Sequence, residues 1–213
     1  MNIRKNIQLI KANLSKDICL VIVSKTQSNN NIIEAYNEGQ KIFGENKVQE
    51  LIKKKEELPK DIKWHMIGHL QTNKVKFIAP FIDMIHSVDS LKLINEIDKR
   101  AEQNNRIIDC LLQVHISKEK TKFGFDIDKI EETIEETIKF KNINIKGLMA
   151  MASNTSDKNK ITKEFSLINN LFRKIQNKNI NLLSIGMSSD YLLAIENGSN
   201  MIRLGSSIFG KRK

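Results

Sequence analysis

Lys25 ends the run ICLVIVSK (18–25), whose first six residues suit only a protein interior. A lysine held against an apolar wall can bond reversibly to carbonyl compounds, because desolvation favours its neutral, nucleophilic amine. Two later stretches have the composition of an anion cradle. SIGMSSD (184–190) carries Ser188 and Ser189, and IRLGSSIFG (202–210) carries Gly205, Ser206 and Ser207 behind Arg203. Glycine lets backbone N–H groups approach an anion closely, and serine hydroxyls add donors. Helix capping is the competing reading of Ser188 and Ser189. A strand-end lysine facing a phosphate cradle describes a site for a phosphorylated carbonyl compound.

Those residues need a scaffold that brings distant strand ends together. Periodicity predicts eight strands, over 18–24, 41–46, 62–68, 83–88, 106–116, 144–151, 181–187 and 200–209. Helices are expected over 3–14, 30–40, 48–58, 70–79, 90–105, 127–140, 158–178 and 189–198. Such alternation implies a parallel sheet, and eight units close into a (β/α)8 barrel, here with an extra N-terminal helix. An open doubly wound sheet is the competitor, but no GxGxxG follows the first strand. Barrel sites lie at the C-terminal strand ends, with phosphate often bound after the last two strands. The expected strand ends carry Lys25, Asn46, His69, Ser87, Ser117, Met151, Ser188 and the turn from Arg203 to Ser207.

Composition narrows the class. The 213 residues are 40% hydrophobic and 28% charged, with no apolar run near the ~20 residues of a membrane span. No signal peptide is legible at the N-terminus, so a cytoplasmic protein is expected. The net charge of +10 invites a nucleic-acid reading. Its lysines are spread along the chain and do not interleave with aromatics, so no specific nucleic-acid partner is expected; salt-sensitive binding would say otherwise. Cys19 and Cys110 sit in apolar runs and read as buried free thiols. His65 and His69 stand four apart but straddle a strand end and Gly68, with no acid beside them in sequence, so no metal is expected. Met149, Met151, Trp64 and Tyr191 read as packing, with Met151 and His69 the two nearest the mouth.

Taken together, VSKTQ (23–27), FGENKVQE (43–50), WHMIGHLQTNK (64–74), HSVD (86–89), KFGF (122–125), KGLMAM (146–151), SIGMSSDYLLAI (184–195) and IRLGSSIFG (202–210) resemble the pyridoxal phosphate homeostasis protein family. The resemblance is collinear from about residue 7 to 210. It implies one barrel over residues 1–213, like the N-terminal domain of alanine racemase. It implies pyridoxal 5′-phosphate carried on Lys25 as an internal aldimine, with Ser188, Gly205 and Ser206 at the phosphate. Arg203 would stand at the pyridine nitrogen and Asn46 beside the cofactor. An arginine there cannot give up a proton, so the ring is a poorer electron sink. Gln27 and Ser28 depart from the family pattern, which more often has a base followed by proline.

The implied role is a cytoplasmic, monomeric protein that buffers the cofactor or delivers it to pyridoxal phosphate-dependent apoenzymes, without strong catalysis of its own. Racemase chemistry needs a second acid–base group on the opposite face of the cofactor, which in alanine racemases is a tyrosine involving an additional domain and a partner subunit. Here Tyr36 and Tyr191 fall in predicted helices, and the sequence after Phe209 leaves no room for such a domain. A weak amino acid racemase is the alternative.

Overall fold

Along β1 (Cys19–Val23) the side chains alternate between two separate apolar environments. Leu20 and Ile22 join Phe43, Trp64 and the helices in the larger core. Val21 joins Met84, Leu111, Met149 and Met201 in a smaller one. A strand buried on both faces is what a continuous apolar run encodes, and two cores of this kind are the inside and outside of a barrel wall. The computed structural model describes residues 2–117 and 123–210. The terminal KRK run and Lys122 of the KFGF motif lie outside the described residues.

The wall continues through β2 (Ile42–Glu45), β3 (Lys63–Met66), β4 (Met84–Val88) and β5 (Ile108–His115). Beyond the two-residue β6 (Phe125–Asp126) it resumes with β7 (Ile143–Ala150), β8 (Leu182–Met187) and β9 (Met201–Leu204). All pairings are parallel, in the order β4-β3-β2-β1-β9-β8-β7-β5, and β4 pairs with β5 to close the ring. The expected eight-stranded barrel is therefore what forms. Only β6 was not anticipated; it lies beside the end of β5, outside the ring. One irregularity is built into β7, where Ile145 pairs with Cys110 and Gly147 with Leu111, so that Lys146 bulges. Gly147 has φ +155°, and a Cβ there would lie 1.7 Å from the Leu182 carbonyl oxygen.

Helices follow the strands: α2 (Asn29–Asn37), α3 (Val48–Glu57), α4 (Val75–Ile78), α5 (Leu91–Gln103), α6 (Ile130–Thr137), α7 (Lys158–Ile175) and α8 (Tyr191–Glu196). The longer ones carry their own instructions. In α7, Ile161, Phe165, Ile168 and Phe172 form one buried stripe, and Asp157 caps the first turn by accepting from the N–H groups of Asn159 and Lys160. In α5 the stripe is Leu93, Ile94, Ile97 and Ala101, capped by Ser90.

The eighth strand departs from its expected length. The run 200–209 is not one strand: β9 stops at Leu204, and residues Ser206–Phe209 turn into the short helix α9. Ile208 and Phe209 are thereby buried, a placement that an extended chain leaving the barrel rim would not give them. The N-terminal helix α1 (Ile3–Ala12) packs against α2 and α9, and Asn6 donates to the Ile208 carbonyl. It fills the outer-ring place that a longer eighth helix would take.

Candidate functional site

Three of the loops that leave strand ends at the mouth are held by carboxylates. Glu50 on α3 accepts from the N–H of Thr26 at 2.5 Å. Buried Glu164 on α7 accepts from both the N–H and the hydroxyl of Ser153, at 2.7 and 2.6 Å. Asp190 accepts from the Met187 N–H at 2.6 Å. The loops after β1, β7 and β8 are thus tied down individually, which gives the mouth a fixed shape.

Inside that mouth lies a cavity of about 490 Å³. It is lined by all six residues named from sequence: Lys25, Asn46, Ser188, Arg203, Gly205 and Ser206. Residues from β1, β2, β8 and β9, far apart in the chain, therefore meet around one space. Val23, Ile67, Met151 and Met187 supply apolar walls, and Gln27 and Ser189 add polar edges. Sequence reasoning missed Val23, Ile67 and Met187. Each is a plain apolar residue at a strand end, and only the closed ring shows that it turns inward.

The two serine loops are stitched together. Ser188 Oγ accepts from the N–H groups of Gly205 at 3.1 Å and Ser207 at 3.2 Å. Two backbone donors from one turn converging on one oxygen, beside a cavity, are the geometry that also receives an anionic oxygen. The capping reading fails for Ser188 and Ser189, because α8 has Asp190 at its N-cap and no side-chain cap bond.

Arg203 is 4% exposed and anchored from the barrel side. Its guanidinium donates to the Ser184 carbonyl at 2.7 Å, to Ser184 Oγ at 2.6 Å and to the Ala150 carbonyl at 3.1 Å. Desolvation pulls it down to about 10, opposed by Asp190, so it stays charged at neutral pH. Ser184 continues the contact inward, 3.3 Å from His86 Nδ1, and His86 Nε2 lies 2.9 Å from His65 Nδ1. Burial holds His65 down at about 3 and His86 well below its ordinary value, so both are neutral at physiological pH. His65 and His86 appear in motifs noted from sequence, but nothing there joins them to Ser184 and Arg203.

Asn46 is placed by close backbone packing. A Cβ at Gly68 would lie 2.6 Å from the Asn46 carbonyl oxygen, so the chain leaving β3 can pass this near only with glycine. The side-chain oxygen of Asn46 is buried and has no hydrogen-bond partner. Asn46 lines the cavity, so this unsatisfied acceptor is the polar group on that wall left open to a donor.

His69, just past the end of the third strand, does not line the cavity; a place at the mouth is the minority reading of it from sequence. It lies 2.9 Å from Asp89 and stacks on Phe123 with ring centroids 3.7 Å apart. The acid missing from its sequence neighbourhood thus comes from the HSVD motif. Among the described residues no three His, Cys, Asp or Glu side chains converge as metal ligands. Cys110 is buried and Cys19 half-buried, both as free thiols whose pKa burial raises.

Comparison with known proteins decides the family. The model for the alanine racemase N-terminal domain matches residues 1–213. The pyridoxal phosphate homeostasis protein of Aquifex aeolicus (strain VF5) is 40% identical over 198 residues, covering 91% of this chain and 87% of its own. That of Helicobacter pylori (strain J99) is 43% identical over 197 residues, covering 89% and 86%. The chain belongs to the pyridoxal phosphate homeostasis protein family.

Solved structures agree with that membership. PipY of Synechococcus elongatus PCC7942, without PLP, superposes with a TM-score of 0.93 at 33% identity, covering 98% of this chain and all (100%) of that one. PipY with PLP bound gives 0.88 at the same 33% identity and the same coverage. Alanine racemase from E. faecalis, 15% identical with a TM-score of 0.82, shares the fold over 99% of this chain and 58% of its own. These relatives of the family are named for homeostasis and not for a reaction.

Proposed function

We propose that the chain holds pyridoxal 5′-phosphate in this cavity and serves its homeostasis in the cytoplasm, buffering the cofactor and passing it to apoenzymes that need it. A single barrel over residues 1–213, acting as a monomer, is the unit of this proposal. The observation that carries it is the convergence of Lys25, Ser188, Gly205, Ser206 and Arg203 on one space. The donor set fits the group. Ser188, Gly205 and Ser206 would hold the phosphate, Arg203 would donate to the ring nitrogen, and the orphaned Asn46 oxygen would take the ring hydroxyl. Val23, Ile67, Met151 and Met187 would cover the ring and exclude water from it.

When bound, the cofactor supplies an aldehyde carbon that condenses reversibly with an amine. Lys25 provides that amine at the end of β1. Arg203 cannot act as a base and would leave the ring nitrogen of a bound cofactor unprotonated, which would discourage carbanion chemistry. A holding role is supported further by the lining. Among the described residues around the cavity, Lys25 and Arg203 are the ionisable ones. Tyr36 bonds Asp61 at 2.7 Å, and Tyr191 packs against the outer core, so neither stands opposite Lys25 as a racemase base would. Among the described residues no helix is long and apolar enough to cross a membrane.

The test is the visible absorption spectrum of the purified chain and of Lys25→Ala, before and after adding pyridoxal phosphate. A lysine-linked band in the parent and none in the variant is expected. A parent that stays colourless after reconstitution would sink the proposal. Turnover of D- or L-alanine faster than with free cofactor would replace the holding role with the racemase.

A further inference from the structure

Lys25 sits on a backbone that its neighbours force into shape. Thr26, the next residue, has φ +65°, a left-handed conformation that β-branched side chains rarely adopt. Such a conformation persists where surrounding groups over-determine it, and at this turn they can be named. The Thr26 N–H donates to Glu50 Oε1 at 2.5 Å. Lys54 Nζ donates to that same oxygen at 2.7 Å, to the Ser24 carbonyl at 2.7 Å and to Glu45 Oε1 at 2.8 Å. Ser24 Oγ donates to the same Glu45 oxygen at 2.6 Å.

Both peptide groups flanking Lys25 are therefore held by one ammonium–carboxylate pair: the carbonyl of the bond entering it and the N–H of the bond leaving it. Glu50 and Lys54 stand four apart on α3 and so share a face. Lys54 is 5% exposed and Glu45 fully buried. Burying a lysine among carboxylates is costly, unlike a surface pair, and a simple turn after β1 would not require it. None of Glu45, Glu50 and Lys54 lines the cavity, so whatever they do for a ligand they do through the backbone of Lys25.

We infer that Glu50 and Lys54 are positioning residues that fix the direction in which Lys25 enters the cavity, and so set how fast its amine reaches a bound aldehyde. This rests on the reading that Lys25 condenses with pyridoxal phosphate. In that step the lysine ammonium gives a proton to solvent, its nitrogen bonds to the aldehyde carbon, and the aldehyde oxygen leaves as water; nothing is oxidised or reduced. Misplacing a reacting group by ~1 Å costs ~100-fold in rate. The pair's effect belongs in the rate of bond formation and not in the affinity for the phosphate and ring.

The experiment separates the two. Pyridoxine 5′-phosphate has an alcohol where the aldehyde would be and cannot condense, so its affinity reports the cavity alone. Growth of the lysine-linked band after mixing with pyridoxal phosphate reports the amine. For Glu50→Ala, a band that forms ~10- to 100-fold more slowly is expected, with affinity for the alcohol within about twofold of the parent. Glu50→Gln keeps an acceptor oxygen and is expected to recover most of the rate. Should Glu50→Ala fail to fold, adding Thr26→Gly supplies a residue at ease in the left-handed region without the tether; slow condensation is expected there too. Equal losses of rate and alcohol affinity, or a Glu50→Ala rate equal to the parent's, would overturn the inference. A parent with no band would instead overturn the binding reading beneath it.

Discussion

His65 Nδ1 on β3 and His86 Nε2 on β4 are 2.9 Å apart in the barrel interior, and His86 passes the contact on to Ser184. Arg203 can only donate, so the simplest chain that satisfies every group has Ser184 donating to His86 and His86 donating to His65. Both imidazoles must then be neutral.

That neutrality makes stability fall in acid. The unfolded histidines take up protons near pH 6.5, whereas folded His65 does so only at about 3 and His86 also well below its ordinary value. Between those values the unfolded state binds more protons, so unfolding free energy rises with pH and is lost as pH falls below 6.5. At pH 5 the loss from His65 is about 2 kcal/mol, and His86 adds to it in the same direction. Urea titrations at pH 7 and pH 5 measure it, and His86→Asn should flatten the difference. A parent equally stable at both would contradict the pairing.

Ser188→Ala removes the oxygen on which the Gly205 and Ser207 N–H groups converge. Those donors face a cavity that water can enter, so stability should drop by only about 0.5–1 kcal/mol. Affinity for pyridoxal phosphate should fall about tenfold, about 1.4 kcal/mol, through loss of the hydroxyl from the cradle. Fluorescence titration against the parent reads this, and equal affinities would remove Ser188 from the site.

Gly68→Ala acts on the other wall. Its Cβ would press 2.6 Å from the Asn46 carbonyl oxygen and 2.8 Å from the Asn46 Cα, both backbone atoms that yield only if the end of β2 moves. Ligand affinity should fall by more than tenfold, alongside a stability loss of about 1–3 kcal/mol, typical of overpacking. A variant with parental binding would show that Asn46 needs no fixed place.

Arg203→Met sets two effects against each other. Removing a buried charge recovers its desolvation cost, whereas the Ser184 and Ala150 carbonyls lose their donor. The orphaned acceptors should prevail, with a net loss of about 1–3 kcal/mol in the cofactor-free protein. Thermal melts test this, and a higher melting temperature would mean that desolvation dominates.

Much of this protein is written locally. ICLVIV declares a strand buried on both faces, and the stripe of Ile161, Phe165, Ile168 and Phe172 declares a helix, because side-chain period needs no knowledge of distant residues. The alternation of these units implies a barrel and the barrel rule points to a wider set of strand ends, from which the family resemblance selects Lys25, Asn46, Ser188, Arg203, Gly205 and Ser206. The end of β9 was misread because Ile208 and Phe209 continue the apolar content of Met201, Ile202 and Leu204 beyond the Gly205–Ser207 turn, and only packing against α1 decides that 206–209 coils into a helix.

Contacts across the ring needed the tertiary structure. Nothing in WHMIGHL and HSVD tells that His65 and His86 share a bond, since register between separate strands decides it. Nor does VSKTQ reveal that Glu50 and Lys54 hold the turn around Lys25, because a helix outside the barrel supplies them. The sequence determined which residues would meet; closure of the ring and packing of helices on it decided how each is held.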